Sequence, residues 1–118
     1  MIAFEPSEAV RQLSYLSGQG TLVVCDSAVN PITGSYDVNA VLDYLKSNVS
    51  NLIIVHGQPI KDRCAKTLNV ALLGAAVQSG IFPFGADDIL GVISDLPRYK
   101  DENLASFEFG RRVYDEHV

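Results

Sequence analysis

The sequence is poor in the residues that build metal and redox centres. Of its 118 residues only two are cysteines, Cys25 and Cys64, and they stand at no metal-ligand spacing. Without a CxxC pair or a four-cysteine set, an iron–sulfur cluster has no ligands here. A disulfide between the two would need an oxidising compartment. Lysine and arginine are scarce and dispersed: Lys61, Arg63 and Lys66 sit among apolar and acidic neighbours, and the net charge is −5. A basic footprint for nucleic acid is therefore missing. No apolar run approaches the ~20 residues that span a bilayer. Met1-Ile2-Ala3-Phe4-Glu5 lacks the basic region and long apolar core of a signal peptide, so the cytoplasm is the expected location. Gly18-Gln19-Gly20 lacks the third glycine of a dinucleotide fingerprint and lies between a helix and a strand, the wrong order for one. It reads as a plain turn. No phosphate loop, histidine pair or zinc motif appears, so no metal site is expected.

What remains is a globular composition, with 47% hydrophobic and 19% charged residues, enough for one compact domain over residues 1–118. Ile2-Ala3-Phe4, Thr21-Leu22-Val23-Val24-Cys25 and Asn51-Leu52-Ile53-Ile54-Val55 are apolar runs of the kind buried on both faces of a parallel sheet. Between them, helical periodicity takes over. Pro6 suits a first helical turn, and Ala9, Val10, Leu13 and Leu16 continue that helix to Ser17. Residues 26–36 read as a loop carrying Asn30-Pro31 and Thr33-Gly34. Asp37 caps a helix bearing Val38, Val41, Leu42 and Leu45.

The second half is helical. A short stretch holds Ile60, Cys64 and Ala65. Asn69 is the expected N-cap of a helix that is apolar nearly all round from Val70 to Gln78, and Gly80 closes it. Gly74 within it costs about 1 kcal/mol relative to alanine, which points to close backbone packing. Phe82-Pro83-Phe84 reads as a core plug. Asp87-Asp88 and Asp101-Glu102 open two further helices, where carboxylates favour the positive helix end. The class is α/β: a partial, three-layered, doubly wound fold with a small, mostly parallel sheet of about three to four strands flanked by helices. So thin a sheet is expected to leave an edge and one apolar face poorly covered.

Ligands of open parallel sheets bind beyond the carboxyl ends of the strands. Glu5, Cys25, Asp26 and His56 all fall there. A carboxylate, a thiol and an imidazole on one edge can support acid–base or nucleophilic chemistry. The plainer reading makes Glu5 and Asp26 caps, Cys25 a small buried apolar group and His56 a loop residue.

Two segments carry a family resemblance. The first is Ile2-Ala3-Phe4-Glu5-Pro6-Ser7-Glu8-Ala9-Val10-Arg11, then Tyr15-Leu16 and Gly20-Thr21-Leu22-Val23-Val24. The second runs from Asn69-Val70-Ala71-Leu72-Leu73-Gly74-Ala75 through Phe84 and Ile89-Leu90 to Asn103-Leu104-Ala105-Ser106-Phe107-Glu108-Phe109-Gly110. Together they resemble the C-terminal portion of the gamma-type subunit of 2-oxoacid:ferredoxin oxidoreductases. The final block favours the indolepyruvate type, whose beta subunit is of this kind, over the pyruvate type. Pro6, Asn69 and Gly74 fall in the family's motifs as structural positions. The family's N-terminal third, with its glycine-rich GxGGQG turn and Arg-Gly-Gly stretch, has no counterpart, and the segment from Ile60 to Asn69 is shorter than usual.

The resemblance implies a complex that oxidatively decarboxylates a 2-oxoacid with coenzyme A and passes electrons to ferredoxin. Thiamine diphosphate and iron–sulfur clusters would sit in partner subunits, with no cofactor bound by this chain alone. Its role would be assembly and docking, its partners a thiamine-binding subunit, the missing N-terminal portion, or both, as a homo- or hetero-oligomer. Two other functions remain open: a stand-alone small-ligand binding or regulatory module, and an independent enzyme using Glu5, Cys25 and His56. Either way, the thin sheet predicts that the isolated chain self-associates or pairs through an exposed apolar surface. Light scattering checks this, and a lone 12.8 kDa species would contradict it.

Overall fold

A computed structural model describes residues 1–26 and 37–117. Three strands, β1 (Ile2–Ala3), β2 (Thr21–Cys25) and β3 (Asn51–Val55), form one fully parallel sheet in the order β1-β2-β3. The register sets Val23 beside Ile2 on one side and Ile53 on the other. The expected loop around Asn30-Pro31 and Thr33-Gly34 lies outside the described residues.

Alternation of side chains along the strands sends successive residues to opposite faces. Leu22, Val24 and Leu52 pack with Ala9, Leu42, Leu45 and Val49 beneath helices α1 (Pro6–Arg11) and α2 (Val38–Asn48). Val23, Cys25, Ile53 and Val55 pack with Ile60, Ala71, Leu72, Ala75 and Ala76. Those partners belong to α3 (Gln58–Cys64) and α4 (Leu68–Gln78). Val77, Ile93 and Phe107 form an outer cluster that seats α5 (Ala86–Ser94) against α4 and the long α6 (Lys100–His117). No helix among the described residues is long and apolar enough to cross a membrane.

The caps follow the sequence in most places. Asp37 Oδ1 accepts from Ala40 N at 3.2 Å, and Asp88 Oδ2 from Gly85 N at 3.0 Å. Gly80 ends the α4 segment with φ +80°, a conformation that favours glycine. Three expectations need correction. The first helix stops at Arg11, and a 3₁₀ turn over Leu13–Tyr15 replaces the run to Ser17. Its tighter pitch brings Leu13 and Leu16 together onto the α1–α2 core. Asn69 is not an N-cap: α4 begins at Leu68, after Thr67, two residues earlier than an Asn69 cap would set it, and Asn69 Oδ1 accepts from its neighbour Val70 N at 2.9 Å. Thr67 is committed inward instead, donating to Cys64 O at 2.8 Å and meeting Ser106 Oγ at 2.7 Å. Finally, the sheet has no bare face. Leu22, Val23, Val24 and Cys25 are all fully buried, because the C-terminal helices return over the second face. What stays open, among the described residues, is the pair of edges. The aromatic connector is divided: Phe82 packs into two core clusters, while Phe84, stacked on it at 5.0 Å, remains exposed.

Gly74 and Gly110 make the α4–α6 contact possible. A methyl group on Gly74 would overlap the carbonyl of Phe107, and one on Gly110 would overlap the carbonyl of Ala71. Backbone cannot yield as a side-chain tip can. Gly74→Ala and Gly110→Ala should each destabilise the fold by about 3 kcal/mol, the upper range for overpacking. Gly91, on the exposed side of α5 with nothing in reach of an added methyl, provides the control. There alanine should stabilise by roughly 0.5–1 kcal/mol through helix propensity and a less flexible unfolded chain. Urea denaturation of the three variants checks the contrast; equal effects at all three positions would refute it.

Candidate functional site

Parallel strands place the carboxyl ends of β1, β2 and β3 on one edge of the sheet, and Glu5, Asp26 and His56 follow those ends. Only two of the three meet. Asp26 bridges β2 to the turn after β3: its N–H donates to Val55 O at 3.1 Å, and its Oδ1 accepts from Gly57 N at 3.0 Å. Its Oδ2 lies 2.6 Å from His56 Nδ1. With Nδ1 protonated, the bond fixes the ring and leaves Nε2 as a free acceptor. The side chains are 28% exposed for Asp26 and 74% for His56, so the pair is solvated. Such a pair is an oriented imidazole, able to take up or deliver a proton.

Cys25 does not join it. Its side chain points into the α3–α4 core and is fully buried. Alternation explains this, since the residue before Asp26 must face the sheet's interior layer. Glu5 occupies the N-cap of α1 in an extended conformation and makes no capping bond with its side chain, while its carbonyl accepts from Ala9 N. Pro6 follows as the first helical residue and is buried. Among the described residues no group of three or more His, Cys, Asp or Glu side chains is arranged to hold a metal ion.

The concavities lie elsewhere. One of about 270 Å³ sits at the amino ends of β2 and β3, lined by Thr21, Asn51, Ser79, Tyr114 and His117 among others. An adjoining one of about 350 Å³ runs along the outer edge of β3, lined by Lys46, Val49, Ser50, Leu52, Ile54 and His117. Sequence periodicity gives no hint of either, because each joins residues around β3 to His117 at the far end of the chain. The same holds for Lys66, whose ammonium donates to the Tyr99 hydroxyl at 3.1 Å and lies 5.0 Å from that ring's centre. That hydrogen bond, then the charge of the tyrosine, raises the Lys66 pKa above its ordinary 10.5. The contribution is complete at neutral pH and fades only as pH climbs through the raised value. Tyr99 itself holds φ 58°, and its carbonyl accepts from Asn103 N to start α6.

No family model matches the chain, and no solved structure matches it. Among curated proteins, it is similar to the indolepyruvate oxidoreductase subunit IorB of Pyrococcus horikoshii, with 26% identity over 133 aligned positions. The match takes in 98% of this chain and 63% of that protein, so the chain spans under two-thirds of its relative's length. At this identity the relation is a distant one.

The buried and exposed positions yield a direct test. In the native chain a thiol reagent should modify Cys64, which is partly exposed, and spare Cys25 until the protein unfolds. Asp26→Ala should cost about 1–2 kcal/mol, because Gly57 N–H is buried and loses its acceptor, whereas His56→Ala should cost less than about 0.5 kcal/mol. Thiol titration and denaturant melts read both; early labelling of Cys25, or a larger loss from His56→Ala, would contradict the geometry.

Proposed function

We propose that this chain is an assembly and docking component of an indolepyruvate-type 2-oxoacid oxidoreductase, equivalent to the C-terminal portion of a gamma-type subunit. The similarity to the Pyrococcus horikoshii subunit across 98% of the chain carries this reading. The distribution of chemistry supports it. The two cysteines lie one in the core and one at the end of α3, a donor set that does not fit a four-thiolate cluster. Cys25 faces the core, away from the oriented Asp26–His56 pair. Oxidative decarboxylation of the 2-oxoacid with coenzyme A and electron transfer to ferredoxin would then fall to partner subunits in the cytoplasm. Those subunits would hold thiamine diphosphate and the iron–sulfur clusters, with no cofactor on this chain alone.

The experiment is co-expression of the full chain with a thiamine-binding 2-oxoacid oxidoreductase subunit. Stable co-purification in fixed stoichiometry is expected. Persistent separation of the two on gel filtration would end this reading.

A second reading, a stand-alone small-ligand module, draws on one observation: His56, oriented by Asp26, presents a free ring nitrogen at the sheet edge where ligands of this class of fold bind. A stable monomer whose melting temperature rises with a small anionic ligand would favour it. Such a rise should vanish in His56→Ala.

A further inference from the structure

Helix α5 carries a glycine that its own fold does not require. Gly91 stands mid-helix and exposed, and an added methyl would meet nothing within 4 Å among the described residues. Glycine costs a helix interior about 1 kcal/mol relative to alanine. The α4–α6 crossing shows what such positions do elsewhere in the molecule: Gly74 and Gly110 each let a second backbone come close. Gly91 offers the same close seat, turned outward.

The residues around it make a face. Helical neighbours stand three and four apart. Asp87 and Asp88 flank Gly91 on the turn before, Ser94 and Asp95 on the turn after, and all four are exposed. Val92 lies in line with Asp88 and Asp95 and is 63% exposed, more open than Val10 or Ile81. Exposed Phe84 and half-buried Ile89 hold the positions on either side of the α5 start where apolar pairs staple a helix, with Gly85 as the N-cap. They extend the apolar surface to the amino end of the helix. The inner side is already occupied, with Leu90 and Ile93 in the outer core cluster.

The charge of this face has one sign. No lysine, arginine or histidine occurs from Leu68 to Pro97. Asp87, Asp88 and Asp95 form no ion pair among the described residues. Just beyond, Arg98 and Lys100 are offset by Asp101 and Glu102. A second copy of the chain brought to this face would set carboxylates against carboxylates, which costs free energy. A cationic partner would meet complementary charge and cover Val92 and Phe84.

We propose that the outer face of α5 docks a cationic amphipathic helix of another polypeptide, its backbone seated on Gly91, its apolar side chains on Val92 and Phe84, and its lysines or arginines against Asp87, Asp88 and Asp95. Recognition is by one helix laid on another, with apolar anchors at helical spacing. This goes beyond the assembly reading, since it names a surface and the chemistry of its occupant and holds whichever complex the chain joins.

The test uses the full chain and, as probe, a labelled helical peptide of about 18 residues, with leucine and alanine on one face and lysine flanking them. A second peptide carries glutamate in place of every lysine. Binding is measured by calorimetric titration on wild type, Gly91→Leu, Val92→Asp and Tyr44→Asp. Tyr44 is an exposed aromatic on α2, which covers the other face of the sheet. Melting curves confirm that the variants fold, and Gly91→Leu should melt no lower than wild type because leucine favours the helix. The lysine peptide should bind wild type, more weakly as salt rises. Gly91→Leu and Val92→Asp should each weaken it at least about tenfold, with Tyr44→Asp unchanged. The glutamate peptide should not bind. Equal binding of both peptides, an equal loss for Tyr44→Asp, full binding by Gly91→Leu, or no binding of the lysine peptide would each overturn the proposal. So would a homodimer of the wild-type chain that Val92→Asp converts to monomer. None of these outcomes bears on co-purification with the thiamine-binding subunit, so the two readings fail separately.

Discussion

The contact on which the architecture depends is the crossing of α4 and α6. Gly74 lies against the Phe107 carbonyl and Gly110 against the carbonyl of Ala71 and the amide of Ala75, so each helix brings a glycine to the other's backbone. Polar pairs fix the register at both ends. Thr67 and Ser106 share a buried hydrogen bond above the crossing. Below it, Gln78 accepts from Arg111 Nε and donates to Asp115. These pairs run 67–106, 71–110 and 78–115 in the same sense, so the two helices are parallel. They form one unit that lies across the sheet as a plate. Without the close approach, α6 would stand off by the thickness of a side chain. Phe107, fully buried in the outer cluster, would then lose its partners Val77 and Ile93.

Much of this was legible in the sequence, and the reasons differ by element. β2 and β3 declared themselves because a strand buried on both faces cannot afford polar residues, and Leu22 to Cys25 and Leu52 to Val55 contain none. Gly74 was legible as a close-packing position because glycine is costly inside an apolar helix. Its counterpart Gly110 was not, since α6 is polar on one side and nothing local says which backbone it meets. Asn69 misled because a capping residue type stood beside an apolar run; Thr67 takes the N-cap position, with its hydroxyl turned to Ser106, 39 residues away, and making no capping bond. The end of α1 was missed for a similar reason. Helical spacing continued to Leu16, but the core under α1 and α2 is served as well by a 3₁₀ turn.

The candidate site divides along the same line. That Asp26 and His56 share an edge with Glu5 follows from parallel strands and needs no coordinates. That Asp26 grips His56 while Cys25 faces away depends on the phase of β2, which alternation from Leu22 fixes once the covering helices are known. Asp26 is also fully employed structurally. One carboxylate oxygen holds Gly57 N–H and the other His56, while its own amide extends the ladder to Val55. A residue so engaged ties the β2 end to the β3–α3 turn whatever else the edge does. The imidazole, three-quarters exposed, is the member free to act on something outside the chain.

The completeness of the two faces sharpens the question of partners. A parallel sheet must be covered on both sides, because its strands are apolar on both. Here the chain meets that demand by itself, with α1 and α2 on one face and α3, α4 and α6 on the other. A partner therefore has no sheet face to cover, and contacts with the helical layers would meet surfaces that are polar but carry exposed Tyr44, Ile81, Phe84 and Val92. What the described residues leave unsatisfied in the sheet is directional: outward peptide groups at Ile2 on one edge and at Leu52 and Ile54 on the other. Unmet hydrogen-bonding groups select for a strand, whereas an unmet apolar face would have selected for a helix. The outer edge of β3 sets its peptide groups in a concavity where Lys46, Ser50 and His117 stand beside the apolar Val49, Leu52 and Ile54.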